Sequence, residues 1–188
     1  ARGWADKLVV QYSGNFGVAH EYETLLGTVR LLRDEGRIVF QITGAGRNYD
    51  VLKAVCAEEK LQNIVFEGYA PADRLEKHLG TADISVVILS APFRDVLLPS
   101  KYYGILASGR GTLLISGCES DISRDIRQEG VGLCFDHLES VRLGRELLGL
   151  LESPEALHEM GGRARALYDR KYAQKVILEQ YRKVLMEE

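Results

Sequence analysis

The sequence predicts a doubly wound α/β fold: a mostly parallel, six-stranded sheet wrapped by helices on both sides and followed by a helical C-terminal tail. Three observations carry this. Short apolar runs alternate with amphipathic stretches along almost the whole chain. The run Ile84–Leu89 (ISVVIL) is apolar without alternation, as a strand covered on both faces requires. Several of these runs also end on glycine, as at Ser13–Gly17, Gly44–Gly46 and Gly68–Tyr69.

The elements follow in order. Lys7–Tyr12 (KLVVQY) reads as the first strand, ending in Ser13-Gly14-Asn15-Phe16-Gly17. Tyr22, Leu25, Leu26, Val29 and Leu32 fall at helical spacing and mark the first helix. Arg37–Thr43 is the second strand, Asp50–Leu61 a helix, and Asn63–Phe66 the third strand. Pro71–Leu79 reads as a short helix with proline near its first turn, where the missing N–H costs nothing. After Ile84–Leu89 come a helix over Pro99–Ser108, a strand over Thr112–Ser116 and a helix over Asp121–Gln128 that Ser120 can cap. Gly132–Phe135 is the last strand. From Glu139 the chain reads as helical, with breaks expected near Ser153-Pro154 and Gly161-Gly162. No linker or internal repeat divides the chain, so residues 1–188 are expected to form one domain.

Composition narrows the function. Lys plus Arg is 24 and Asp plus Glu is 27, a net charge of −3, which argues against nucleic acid as a partner because phosphate neutralisation needs clustered cations. One small phosphate ligand in a local basic pocket is compatible with it. The cysteines, Cys56, Cys118 and Cys134, are odd in number and lack zinc spacing, which points to buried free thiols in a reducing compartment. No metal or cofactor is expected. Apolar runs fall well short of the roughly 20 residues a membrane span needs. The start at Ala1, straight into a strand, suggests a piece of something longer, and processing would look the same.

In an open parallel sheet, ligands bind beyond the carboxyl ends of the strands at the switch in strand order. Glycine there lets backbone amides approach a phosphate, and a following helix adds its positive end, although a glycine that only turns the chain explains any one such loop. Gly44-Ala45-Gly46-Arg47-Asn48-Tyr49 has two glycines of GxGxxG but follows the second strand and carries tyrosine at the third position, which disfavours an NAD site. No GxxxxGK[ST] loop is present. Pro99-Ser100-Lys101 at a helix start brings together a hydroxyl, a cation and free amides, a set suited to a diphosphate; a capped helix with a solvated lysine has the same sequence. His78, His137 and His158 read as solvated surface residues, and Glu21 and Glu23 as first-turn carboxylates.

The order of these segments resembles the C-terminal, donor-binding half of a GT-B glycosyltransferase of the retaining family four. The resemblance runs essentially end to end: YSGNFGVAHEYETLL (12–26), ITGAGR (42–47), NIVFEGYAP (63–71), LGTADISVVIL (79–89), LLPSKYYGILASGRG (97–111) and VGLCF (131–135). It implies a Rossmann-like domain that binds a nucleoside-diphosphate sugar, with a UDP-linked donor, for retaining transfer to a saccharide or lipid-linked acceptor. The implied contacts are Gly14, Asn15 and Gly17 on the diphosphate and sugar, with Gly44 and Arg47 near the nucleotide. Tyr69 would border the base, and Ser100 and Lys101 would bind the phosphates. The family commonly has two glutamates eight positions apart. This chain has Val96 and Gly104 at those places, with Arg94-Asp95 where relatives often have Glu-Gly, so Asp95 is a candidate replacement carboxylate. His20 lies near the family's loop lysine.

No catalytic residue is assigned. The other implied partner is an N-terminal acceptor domain of the same protein. The stripe Ile177, Leu178, Tyr181, Val184 and Leu185 on the last helix would reach that domain or pack on its own. The expected location is cytoplasmic, with any peripheral association at the inner membrane face belonging to the full-length protein. Two other functions are compatible with the same pattern: a GT-B-like sugar-nucleotide epimerase, and a non-catalytic interaction domain that kept the fold.

Overall fold

A computed structural model describes residues 3–93, 97, 99–117 and 120–186. Six parallel strands form one sheet in the order β3-β2-β1-β4-β5-β6: β1 Leu8–Asn15, β2 Ile38–Ala45, β3 Ile64–Glu67, β4 Ile84–Ile88, β5 Gly111–Ile115 and β6 Gly132–Phe135. The chain winds outward from β1 to β3, crosses back to β4 beside β1, and winds outward again. The switch therefore lies between β1 and β4.

The period-2 alternation of the strands sends alternate side chains to two cores. On one face Leu8, Val10 and Tyr12 of β1, Phe40 and Ile42 of β2, and Val86 and Ile88 of β4 pack with Leu25 and Val29 of α1 (Glu23–Leu31), Leu52 of α2 (Arg47–Glu58), and residues of two later helices, α6 (Ser140–Leu151) and α7 (Pro154–Leu167). On the other face Val87 and Leu114 meet three helices. They supply Tyr102, Ile105 and Leu106 of α4 (Lys101–Ala107), Ile122 and Ile126 of α5 (Asp121–Glu129), and Ala164 and Leu167 of α7. A short 3₁₀ turn, Ala72–Arg74, leads into α3 (Leu75–Leu79).

Three boundaries depart from the sequence reading, each for a packing reason. First, β1 does not end at Tyr12. Ser13, Gly14 and Asn15 continue the ladder opposite Thr43, Gly44 and Ala45, so the first glycine turn is the last part of a strand. Gly14 and Gly44 sit side by side at φ +135° and +133°, and a Cβ on Gly44 would overlap the Gly14 carbonyl oxygen. These glycines allow close approach of two strands. Second, α2 starts at Arg47, three residues ahead of Asp50, because the Asn48 and Tyr49 amides bond the Phe16 carbonyl at 3.0 and 3.3 Å. Third, Gly161-Gly162 does not break α7; Gly161 lies against the Gly109 carbonyl, where a Cβ would overlap.

Ser120 does cap α5, in a reciprocal box with Ser123: each hydroxyl accepts the other's backbone N–H, at 3.1 and 2.8 Å. After α7, a π-helical turn, Tyr168–Tyr172, is pinned to α5 by Asp125, which pairs with Lys171 at 2.7 Å and accepts from the Tyr172 hydroxyl. The last helix, α8 (Gln174–Met186), has no buried residue, and Leu178, Tyr181, Val184, Leu185 and Met186 are exposed on it. Cys56 and Cys134 are buried, while Cys118 lies outside the described residues. His158 is exposed as expected, but His78 is buried and His137 is partly covered, its ring 3.4 Å from Glu21. Glu21 itself lies ahead of α1 and accepts the Thr24 amide at 2.6 Å, and burial pushes its carboxyl up from the ordinary range.

Candidate functional site

At the switch between β1 and β4 the sheet opens into a cleft of about 660 Å³. Ser13, Gly14 and Asn15 at the end of β1 form one edge, with His20 beyond them. Pro99, Ser100, Lys101 and Gly104, in and just ahead of α4, form the facing edge. Tyr69, Ala70, Leu75 and Leu79 make an apolar side wall, and Gln11 and Ser85 form the floor. A neighbouring hollow of about 730 Å³, between Trp4 and the segment 67–81, shares Tyr69 and Ala70 with it. That hollow's cations, Arg74 and Lys77, are solvated on exposed helix surface, whereas Lys101 is held inside the smaller cleft, which makes the cleft the better ligand site.

The cleft's charge is concentrated in Lys101. Its Nζ donates to the Tyr12 hydroxyl at 2.6 Å and lies 3.9 Å from the centre of that ring, and the Tyr12 hydroxyl donates onward to the Asn15 carbonyl at 2.7 Å. Burial lowers the Lys101 pKa from 10.5 to about 8. His20 faces the same space, with Nδ1 3.3 Å from the Gly17 carbonyl. Burial, and then the Lys101 charge, lower the His20 pKa to about 4, so the imidazole is neutral at physiological pH. Burial raises the Tyr12 pKa well above its usual value. Among the described residues the cleft therefore presents one cation among neutral groups and backbone. A Cβ on Gly14 would lie 3.5 Å from Lys101 Nζ, so the glycine keeps the space over the ammonium clear.

The residues singled out in the sequence divide into three groups. Gly14, Asn15, Tyr69, Ser100 and Lys101 come together around the cleft. Gly17, Gly44 and Arg47 do not line it: Gly17 adjoins the Asn15 side chain, Gly44 backs Gly14 from β2, and Arg47 is exposed at the start of α2. The opening amides of α2 are used on Phe16 and are not presented to the cleft. Ser100 lines the cleft without capping α4 through its side chain. Asp95 and Val96 lie outside the described residues.

No protein-family model matches the chain. Among curated proteins it is 26% identical over 178 residues to the probable glycosyltransferase WbjE of Pseudomonas aeruginosa, covering 95% of this chain and 44% of that protein. It is also 26% identical over 132 residues to the putative colanic acid biosynthesis glycosyl transferase WcaI of Escherichia coli K12, covering 70% of this chain and 32% of that one. The chain thus spans less than half the length of the curated relatives it matches. Among solved structures, Anabaena Alr3699/HepE in complex with UDP and glucose superposes with a TM-score of 0.80 at 13% identity, over 99% of this chain and 50% of that one. The chain carries the C-terminal domain of the GT-B glycosyltransferase fold.

Within this GT-B domain several site residues were missed in the sequence. Tyr12 was read as the last strand residue; the available signal was a hydroxyl on the inward register of β1 just ahead of the glycines. Gln11 and Gln41 were read as ordinary members of their runs, yet both are fully buried and face each other across β1 and β2. The Glu67 carboxylate accepts from Gln41 Nε2 at 2.7 Å, and Gln41 Oε1 then accepts from Gln11 Nε2 at 2.9 Å, which leaves Gln11 Oε1 at the buried end without a partner among the described residues. Asn48 ties α2 to the cleft by donating to the His20 carbonyl at 2.7 Å. A Cβ on Gly104, which lines the cleft, would meet only Leu79 at 3.7 Å. Among the described residues no group of His, Cys, Asp and Glu could hold a metal ion, and no helix is long and apolar enough to cross a membrane.

Proposed function

We propose that this domain binds the donor of a retaining glycosyltransferase, a UDP-linked sugar, with its diphosphate in the cleft between β1 and β4. The observation that carries this is a half-buried lysine, Lys101, held at the glycine-edged switch point of the sheet. A departing nucleoside diphosphate gains negative charge, and a preorganised cation in a poorly solvated cleft stabilises that charge more than water does. Gly14 opens the approach to the ammonium, and the wall of Tyr69, Ala70, Leu75 and Leu79 offers an apolar surface for the nucleoside. UDP in the related HepE structure supports uridine as the base. The names of the curated relatives favour sugar transfer over epimerisation.

The acceptor, saccharide or lipid-linked, is assigned to an N-terminal domain of the same protein. The exposed apolar face of α8 and the short span of the chain relative to its relatives support a second domain. The domain alone is expected to bind nucleotide and to transfer nothing. Calorimetry with UDP, UDP-glucose, GDP-mannose and uridine tests the reading. UDP should bind more tightly than uridine, and UDP at 100 times its Kd should add about 2.7 kcal/mol to unfolding stability. Absence of heat with every ligand would favour the non-catalytic interaction domain.

A further inference from the structure

We infer that Tyr12 is a positioning residue for Lys101: its hydroxyl holds the ammonium beneath Gly14 without cancelling the ammonium's charge. The inference rests on the reading of the cleft as a diphosphate site. Its ground is the polarity of a short relay. A phenol has one proton, and Tyr12 gives its proton to the Asn15 carbonyl at 2.7 Å, so what it turns to Lys101 Nζ at 2.6 Å is a lone pair. The ring cannot drift, because it is fully buried, stacked on Phe16 at 4.4 Å, and anchored in β1 between two paired strands.

The kind of partner matters as much as its place. A carboxylate at this position would fix the lysine equally well, but it would occupy the charge that a diphosphate needs. Tyr12 remains a neutral phenol because burial, and then Tyr69, oppose its ionisation. The other described groups around Lys101 leave its charge uncompensated too: His20, from the loop after β1, is neutral, and Gly14 contributes backbone alone. Among the described residues Lys101 has no carboxylate partner. A partly desolvated cation with neutral acceptors is costly to the empty protein, and an arriving anion relieves that cost.

Tyr12→Phe isolates the hydroxyl, since the ring and its stacking remain. UDP is expected to bind about tenfold more weakly to this variant, the effect of losing one hydrogen bond to a charged group. Uridine, which has no phosphates, is expected to bind as before. The Lys101 side-chain titration, followed by NMR, should move to lower pH, because the ammonium loses its acceptor. In a Lys101→Met background, adding Tyr12→Phe should leave UDP affinity unchanged. Equal losses for UDP and uridine, or a Lys101 midpoint that stays put, would overturn the positioning role. If the unaltered chain binds neither UDP nor pyrophosphate, the diphosphate reading fails, and the Lys101 midpoint then decides by itself whether Tyr12 holds the lysine.

Discussion

Nucleotide affinity should fall as pH rises through the titration of Lys101. In the empty cleft burial holds this lysine's pKa at about 8, whereas a bound diphosphate restores the ammonium and raises it. The dissociation constant is then nearly flat below pH 7 and climbs above pH 8, reaching about tenfold by pH 9, where about nine-tenths of the free sites have lost their proton; tenfold corresponds to about 1.4 kcal/mol. Near pH 8 each binding event should take up about half a proton, visible as a dependence of the calorimetric heat on the buffer's ionisation enthalpy. The control is Lys101→Arg, whose guanidinium stays charged throughout, so any slope that remains belongs to the ligand's own base. A wild-type profile parallel to that of the arginine variant between pH 7 and 9 would refute the argument. The same displacement has a sign for folding. The unfolded chain keeps the extra proton between about pH 8 and 10.5, so stability should rise with pH across that window, by at most about 3 kcal/mol.

Three further outcomes follow from local geometry. Gly44→Ala should cost about 3 kcal/mol or more in urea unfolding, because the new Cβ must adopt a φ of +133° and displace the Gly14 carbonyl. Gly104→Ala should instead stabilise by about 0.5–1 kcal/mol in a thermal melt, since α4 gains a better helix former and the Cβ meets only Leu79 at ordinary contact distance. Ser120→Ala removes half of the reciprocal box at the start of α5 and should cost about 1 kcal/mol in the same urea assay.

The strand–helix alternation was legible in the sequence because burial on both faces writes itself as unbroken apolar runs, and Ile84–Ile88 is buried at every position. Lys101 was legible as well: a cation just after Pro99-Ser100 at a helix start stands out in any reading. Glycine was the ambiguous letter. Gly44 and Gly161 were read as a turn and a break, yet each marks a place where two backbones nearly touch, and a one-dimensional pattern cannot tell these uses apart. The family resemblance places Arg47 near the nucleotide, whereas in the structure its side chain is exposed outside the cleft. Its exposure follows from α2 starting early on the Phe16 carbonyl, a contact between residues the local pattern does not join. Tyr12 was missed for a related reason. Its role depends on a lysine 89 positions away, and nothing near Tyr12 in the sequence announces that partner.

The amide row beneath the cleft runs in one sense only. A carboxylate receives and never gives, so Glu67 dictates which end of Gln41 faces inward, and Gln41 dictates the same for Gln11. An acid on the rim of the sheet thereby decides, two strands away, that an oxygen is what points into the interior. Lysine at position 67 would demand the opposite sense from both glutamines. Positions 11, 41 and 67 should therefore tolerate replacement as a trio and resist it one at a time.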